Sequence, residues 1–132
     1  MKIITSGKRK RAIARAVLIE GNGKITINKK NYQNLQIFDR LKIEEPLRIA
    51  KSVLGDLKFD VAINVHGGGE KGQVEAARVA LSRALVDASK SKLLHDSYMT
   101  YDRNLLIADI RRKEAYKPGD SKARRKRQTS YR

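Results

Sequence analysis

The chain has 132 residues, the length of a single domain, and a formal net charge of +16 at neutral pH. It has no cysteine, so disulfide bonds, thiolate catalysis and cysteine-based zinc sites are excluded. No apolar run approaches the roughly 20 residues that cross a bilayer, and the first residues lack the apolar core of a signal peptide. We therefore expect an intracellular protein, soluble or part of a larger assembly, with no membrane partner.

The positive charge is concentrated at the two ends of the chain. Residues 1–15 hold six basic residues and no acids, and residues 111–132 hold ten basic residues and two acids. Residues 16–110 are nearly neutral, with fourteen basic and twelve acidic residues. Because Lys and Arg displace counterions from phosphates, this layout favours a nucleic-acid partner. We expect a globular domain over 1–110 with a basic N-terminal arm, and an extended basic tail over 111–132 that is too charged to fold alone.

The first elements that the apolar pattern predicts are two strands, over residues 12–20 and 24–28. Gly21-Asn22-Gly23 between them supplies turn chemistry, so a β-hairpin is predicted here. Residues 29–40 are polar with scattered apolar side chains, and this pattern indicates a loop or a short strand.

Helices and one further strand are predicted next. Glu44-Glu45-Pro46 is typical of a helix start, and Gly55 is typical of a helix end. Alternation over 59–66 predicts a half-buried strand. The apolar period predicts a longer helix over 72–94, followed by a helical piece and a short extended piece within 97–110. The mixed order predicts one layered α+β domain.

A glycine-rich loop, Gly67-Gly68-Gly69-Glu70-Lys71-Gly72-Gln73, lies between that strand and the long helix. It has the G-x-G-x-x-G spacing of a dinucleotide-binding fingerprint, but no strand is predicted after the helix to complete a parallel βαβ unit. A Walker A loop is excluded because Gly72 is followed by Gln73 and Val74. The loop can be explained as a connection that needs glycine torsions. We favour a loop whose bare N–H groups, at the helix N-terminus, approach an RNA phosphate.

Three motifs resemble those of the small-subunit ribosomal protein S-nine family. The family signature is similar to Gly67-Gly68-Gly69-x-x-Gly72-Gln73-x-x-Ala76-x-x-x-Ala80-x-Ser82-Arg83-Ala84-Leu85. The family's first strand resembles Gly7-Lys8-Arg9-Lys10-Arg11-Ala12-x-Ala14, and its tail resembles Lys122-Ala123-Arg124-Arg125-x-x-Gln128-x-Ser130-x-Arg132. The motifs stand in family order and span nearly the whole chain. Ser130-Tyr131-Arg132 and the short length indicate an archaeal-type member.

This resemblance implies a mixed four-stranded sheet with helices packed on one face, like the second domain of ribosomal protein S-five, with a left-handed βαβ crossover. It implies a structural, non-enzymatic constituent of the small ribosomal subunit, located in the cytoplasm within the ribosome. The implied partners are the rRNA of the subunit head (its 3′ major domain), neighbouring proteins of the head and, through the tail, the anticodon stem-loop of the peptidyl-site tRNA. No cofactor is expected.

The residues expected to bind rRNA are basic or loop residues of the arm, the glycine loop, the long helix and the tail: Lys8, Arg9, Lys10, Arg11, Gly67, Gly68, Gly69, Lys71, Gln73, Arg83, Arg111, Arg112, Lys113, Lys122, Arg124 and Arg125. The residues expected to contact tRNA end the chain: Lys126, Arg127, Ser130, Tyr131 and Arg132. His66 and His95 have no partner at metal-ligand spacing, so no metal site is expected and a structural or RNA-facing role is favoured for both.

Two other functions fit parts of the sequence. A small dinucleotide-binding enzyme would use the glycine loop and would bind NAD, whereas a ribosomal protein would show only salt-sensitive, nonspecific affinity for it. A free-standing RNA chaperone or DNA-compacting protein would have the same basic ends. It would sediment away from ribosomal subunits in a sucrose gradient, which separates it from the ribosomal interpretation.

Overall fold

A mixed sheet forms the centre of the computed structural model, which describes residues 2–112 and residue 115. In chain order the elements are strands β1 (Lys2–Arg9), β2 (Ala12–Glu20), β3 (Ile25–Ile27) and β4 (Lys30–Asn31), helix α1 (Ile37–Leu54), strand β5 (Phe59–His66), and helices α2 (Glu70–Ser89) and α3 (Lys92–Tyr101). Within the described residues the strand order is β1-β2-β5-β3-β4. The predicted α+β class is confirmed. The sheet has one strand more than expected, because the two-residue β4 adds to the edge at β3.

The sheet has one buried face and one exposed face, because side chains alternate along each strand. On β2 the buried positions are Ala12, Ala14, Ala16 and Leu18, and on β5 they are Val61, Ile63 and Val65. Helix α2 packs on this face across β1, β2 and β5, and α1 and α3 pack beside it. The placement of the helices on one face is therefore confirmed.

Strands β2 and β3 do not form the predicted hairpin, because β5 lies between them. β5 pairs antiparallel with β2 and parallel with β3. The connection between β2 and β3 passes over the start of β5, where the Lys24 carbonyl accepts from the Val61 N–H at 2.9 Å. The Asp60 carboxylate accepts from the N–H groups of Asn22 and Lys24 at 3.0 and 2.9 Å. The residues 21–23 thus step across a strand instead of closing a hairpin.

Helix α1 begins at Ile37, so the predicted start at Glu44-Glu45-Pro46 is wrong. Pro46 lies inside the helix and is buried together with Ile43 and Leu47, and this packing outweighs the hydrogen bond that proline cannot donate. The predicted end at Gly55 is confirmed: its φ is 79°, and its N–H donates to the Lys51 carbonyl at 3.0 Å.

The predicted long helix over 72–94 is divided into α2 and α3. Lys90 ends α2 with a φ of 53°, and the Ser91 hydroxyl begins α3 by accepting from the Leu94 N–H at 3.2 Å. Within 97–110 the chain completes α3, makes a short 3-10 turn at Arg103–Leu105, and forms one parallel bridge between Asp109 and Arg9. The expected helical piece and extended piece are both present.

Strands β3 and β5 are parallel neighbours connected through α1, as the implied βαβ unit requires. The left-handed sense of this crossover stays a prediction. After α2 the described chain continues into α3 and not into another parallel strand, so α2 does not complete the unit that a dinucleotide fingerprint needs. Among the described residues, no helix combines the length and apolarity needed to cross a bilayer.

Candidate nucleic-acid interface

Three exposed cations lie where the β1–β2 hairpin turns. The segment that resembles the family's first strand is in fact the end of β1, a turn at Lys10 and Arg11, and the start of β2. Lys8, Lys10 and Arg11 are exposed, and they form no ion pair with any residue that the structure describes. We call these three residues the hairpin tip. They lie in a paired strand and its turn, so the predicted basic arm is part of the sheet over these residues.

Arg9 belongs to the same basic run but points the other way, because successive side chains of a strand alternate. Its side chain is 19% exposed. Its Nε lies 2.8 Å from the Glu75 carboxylate on α2, and its guanidinium also contacts the Asp109 carboxylate. Arg9 is therefore held by two acids of the protein, unlike the hairpin tip.

The glycine loop lies against the backbone of the hairpin turn. Gly67 and Gly68 have φ values of 77° and 65°, the left-handed region that favours glycine. A Cβ on Gly67 would lie 2.6 Å from the Arg11 carbonyl oxygen, and one on Gly68 would lie 3.0 Å from the Ala12 nitrogen. These two glycines are required by the fold itself.

Gly69 differs from Gly67 and Gly68 both in its backbone torsion and in the space around it. Its φ is −91°, and a Cβ there would meet no atom within 4 Å. It precedes α2 and provides no side chain to cap the helix N-terminus. The backbone at Gly69 is thus the open part of the loop, where an anion could approach the first N–H groups of α2.

The two side chains of this loop that were expected to bind rRNA already have partners. The Lys71 amine lies 2.9 Å from Asp39, whose side chain is 1% exposed, although Lys71 itself is 59% exposed. The Gln73 side-chain amide donates to the Gly67 carbonyl at 3.2 Å. Both contacts stabilise the loop against α1 and α2.

Arg83 joins the first strand to the chain that follows α3. Its Nε donates to the Leu106 carbonyl at 2.8 Å, and one terminal nitrogen donates to the Ser6 carbonyl at 2.9 Å. Arg78, five residues earlier on α2, contacts Glu45 at 2.5 Å and Asp102 at 3.4 Å. Two of the five N–H donors of Arg83 therefore bind carbonyl groups of the protein.

Asp109 organises the point at which the chain leaves the domain. It forms the parallel bridge with Arg9, and its carboxylate accepts from the Arg111 guanidinium at 2.8 and 2.9 Å. Hydrogen bonds from the side chain and backbone of Arg111, with another from Arg9, hold the pKa of Asp109 well below its ordinary value. The Arg112 guanidinium donates to the Asp109 carbonyl at 3.0 Å.

Neither Asp109 nor Arg78 was among the residues predicted for the site. The signal for Asp109 was a single acid two residues before a basic run, and its partner Arg9 is 100 residues away. The other residues predicted for the tail lie outside the described residues: Lys113, Lys122, Arg124, Arg125, Lys126, Arg127, Ser130, Tyr131 and Arg132. Within the described part of the chain, no group of three or more His, Cys, Asp or Glu side chains is arranged to hold a metal ion.

Comparison with known proteins agrees with the motifs. The sequence model of the family described as ribosomal protein S9/S16 matches residues 7–132. The small ribosomal subunit protein uS9 of Methanococcus vannielii is 43% identical over 136 aligned positions that cover 100% of both chains. The protein of the same name from Methanococcus maripaludis is 44% identical with the same coverage. The chain therefore belongs to the ribosomal protein S9/S16 family, as an archaeal-type member.

Proposed function

We propose that this structural, non-enzymatic protein of the small ribosomal subunit binds the rRNA of the subunit head through the hairpin tip, the open backbone at Gly69, and Arg111 and Arg112. The family gives the chain its place in the small subunit of the ribosome. The residues that contact RNA are our inference from the surface described above.

The observation that carries this proposal is the meeting of two distant basic segments. The parallel bridge between Arg9 and Asp109 sets the chain at Asp109–Arg112 beside the end of β1 and in the same direction. Arg111 and Arg112 are exposed, as is the hairpin tip. The nearby acids, Glu75 and Asp109, contact cations of the protein. Five exposed cations thus lie on two neighbouring backbone segments, and such a concentration of positive charge is suited to a phosphate backbone.

The glycine loop adds a backbone element to this surface. Gly67 and Gly68 lie against the backbone of Arg11 and Ala12, so Gly69 follows directly on a segment that adjoins the hairpin turn. Free N–H groups at the start of a helix favour a phosphate. Three other side chains that were expected to bind rRNA are already hydrogen-bonded within the protein: Lys71, Gln73 and Arg83. In this proposal each of them contacts RNA only by giving up an internal hydrogen bond.

A finer part of the proposal concerns tRNA. We infer that Lys126, Arg127, Ser130, Tyr131 and Arg132 contact the anticodon stem-loop of the peptidyl-site tRNA, and that Lys113, Lys122, Arg124 and Arg125 bind rRNA along the way. The support is the resemblance of the last eleven residues to the family tail, together with the basic composition of this segment. A guanidinium binds phosphate through paired hydrogen bonds that an ammonium cannot copy.

The test compares two sets of charge-removing substitutions in the full chain. The first variant carries Lys8→Gln, Lys10→Gln and Arg11→Gln. The control carries Lys30→Gln, Lys51→Gln and Lys58→Gln, three exposed lysines away from the tip. Both lose three charges, so a purely nonspecific attraction would weaken equally in both. Binding is measured against a transcript of the 3′ major domain of small-subunit rRNA over a range of salt concentrations.

We expect the tip variant to lower the log–log salt slope by about 0.7–0.9 for each lost phosphate contact, and the control to leave it nearly unchanged. Both should unfold within about 0.5 kcal/mol of wild type, as surface substitutions usually do. Equal slopes for the two variants would contradict the proposed surface. In a second arm, deletion of residues 130–132 should leave subunit assembly intact and weaken tRNA binding to purified subunits by on the order of 1–3 kcal/mol.

A further inference from the structure

The Asp109 carboxylate lies between two arginines at the edge of the proposed RNA surface. Its side chain is 12% exposed. One oxygen accepts from the guanidinium groups of both Arg9 and Arg111, and the other accepts from the backbone N–H of Arg111 at 2.9 Å. Both oxygens of the Asp109 carboxylate therefore accept hydrogen bonds from groups of the protein itself.

An acid at this place is unexpected on grounds of charge alone. A carboxylate beside a site for a polyanion repels phosphate and cancels part of the attraction of the neighbouring cations. Replacement of Asp109 by a neutral residue would then strengthen RNA binding. If Asp109 favours RNA binding despite its charge, it does so by holding the chain at Asp109–Arg112 in position.

The contacts of Asp109 extend into the fold through Arg9. The Arg9 guanidinium lies 2.8 Å from Glu75 on α2, so Asp109 is connected to both β1 and α2. A second connection lies three residues earlier, where Arg83 donates to the Leu106 carbonyl at 2.8 Å and to the Ser6 carbonyl at 2.9 Å. Two attachments on the same short segment fix its direction as well as its place.

We propose that Asp109 is a positioning residue, which holds the chain parallel to the end of β1 so that Arg111 and Arg112 enter the same RNA surface as the hairpin tip. This inference rests on the proposed rRNA binding. Without the carboxylate, the segment after α3 would keep its attachment at Leu106 but lose the one at Asp109, so ordering the two arginines on RNA would oppose binding.

The decisive variant is Asp109→Asn, and its matched control is Asp56→Asn. Asp56 is an exposed acid near the start of β5, away from the hairpin tip, and it forms no ion pair with the residues that the structure describes. Both substitutions raise the net charge by one. Charge alone predicts that both bind the 3′ major domain transcript slightly more tightly. Positioning by Asp109 predicts that Asp109→Asn binds more weakly by on the order of tenfold, while Asp56→Asn does not.

A double-mutant cycle separates positioning from loss of the fold. In a full-length background with Arg111→Gln and Arg112→Gln, the Asp109→Asn substitution should weaken RNA binding by less than about twofold, since the two arginines that Asp109 positions are both absent. A variant that binds poorly only because it unfolds would lose affinity equally in both backgrounds. Hydrogen exchange of Arg9→Gln gives a second readout: the amides of 110–112 should exchange faster, and those of α2 should stay protected.

The outcomes are distinguishable from failure of the proposed function. If the wild-type protein shows no salt-sensitive binding to the transcript, the RNA surface and the role of Asp109 are both overturned. If the wild type binds and Asp109→Asn binds equally or more tightly, only the role of Asp109 is overturned. Equal losses in the two backgrounds of the cycle would also overturn it.

Discussion

The hairpin tip and the arginines beside it contain similar side chains in opposite surroundings. Lys8, Lys10 and Arg11 are exposed and form no ion pair with the described residues. Arg9 and Arg78 are 19% and 15% exposed, and each contacts two carboxylates. Sequence neighbours within one basic run therefore have different roles, because alternate side chains of a strand point to opposite sides.

The same comparison changes how the charge of the chain should be counted. The net charge of +16 treats every Lys and Arg alike. Arg9 and Arg78 are compensated by acids of the protein, and Arg83 donates to two backbone carbonyls. The cations available to RNA are therefore a subset that only the fold identifies.

The largest effect is expected at Gly7, where β1, the strand that carries both the exposed Lys8 and the paired Arg9, packs against the backbone of α2. A Cβ on Gly7 would lie 2.3 Å from the Ala76 carbonyl oxygen and 2.6 Å from the Ala80 nitrogen. Gly7→Ala should lower the free energy of unfolding by about 3 kcal/mol, since neither backbone atom can move aside easily. Urea unfolding followed by circular dichroism measures this.

The control for Gly7→Ala is Gly72→Ala. A Cβ there would make ordinary contacts at 3.8 Å with Ala12 and Arg9, and the change should stabilise α2 by about 0.5–1 kcal/mol. Equal stability of the two variants would show that the approach of β1 to α2 is looser than described.

A smaller effect is expected in the glycine loop, which adjoins the hairpin tip. Gly68→Ala should cost about 1–2 kcal/mol of stability, because a side chain is disfavoured at a φ of 65°. Gly69→Ala should unfold within about 0.5 kcal/mol of wild type, since its backbone is extended and its surroundings are open.

RNA binding by the same two variants tests whether a phosphate approaches this loop. If it does, Gly69→Ala should reduce affinity for the 3′ major domain transcript while the protein stays as stable as wild type. Wild-type affinity for Gly69→Ala would mean that the loop serves only the fold, and that the cations of the hairpin tip act without it.

The smallest effect is expected from acid titration of the Asp109 carboxylate, which pairs with Arg9 and Arg111. The pKa of Asp109 lies below its ordinary value, so its contribution to stability is complete above the unfolded pKa of about 4 and is lost as the pH falls through the folded value. The difference in unfolding free energy between wild type and Asp109→Asn should be constant from about pH 5 to 7 and should shrink below about pH 4.

Variants of the hairpin tip provide the comparison for this titration, since lysine and arginine stay protonated throughout the range. Their stability relative to wild type should not change between about pH 5 and 2 beyond the general effect of net charge. A difference for Asp109→Asn that persists undiminished at the lowest pH would show that its ion pairs do not stabilise the fold.

Elements whose signal lies in their own residues were predicted closely. The alternation that predicted a strand over 59–66 matches β5, and the strand predicted over 12–20 matches β2. Errors arose where tertiary packing overrides a local preference. Pro46 was predicted to lie at a helix start because proline favours the first turn. In the structure it is buried in the middle of α1, where its carbonyl accepts from the hydroxyl of Tyr98 on α3 at 2.7 Å.

The candidate site was predictable only in part for the same reason. Composition identified the basic run at Lys8–Arg11. Recognising a strand that ends at Arg9 would also have placed the Arg9 side chain on the opposite side from that of Lys8. The role of Asp109 could not be predicted from the sequence, because it depends on a bridge to a residue 100 positions away. Nothing in the local sequence encodes which acid will meet which arginine across such a distance.

The insertion of β5 between β2 and β3 has a consequence for how the chain folds. The residues from Ala12 to Asn28 locally favour a hairpin that the native sheet does not contain, and β5 is made only after α1 has followed. We expect that any early pairing of β2 with β3 has to open before β5 can enter, so that the local preference opposes the final topology and slows folding. The Asp60 carboxylate, which accepts from the amides of Asn22 and Lys24, stabilises the native arrangement once β5 has paired.

We expect a slow refolding phase in stopped-flow experiments, and this phase should become faster when the turn residues at 21–23 are made less favourable to a hairpin. Absence of the slow phase would mean that the competing hairpin never forms.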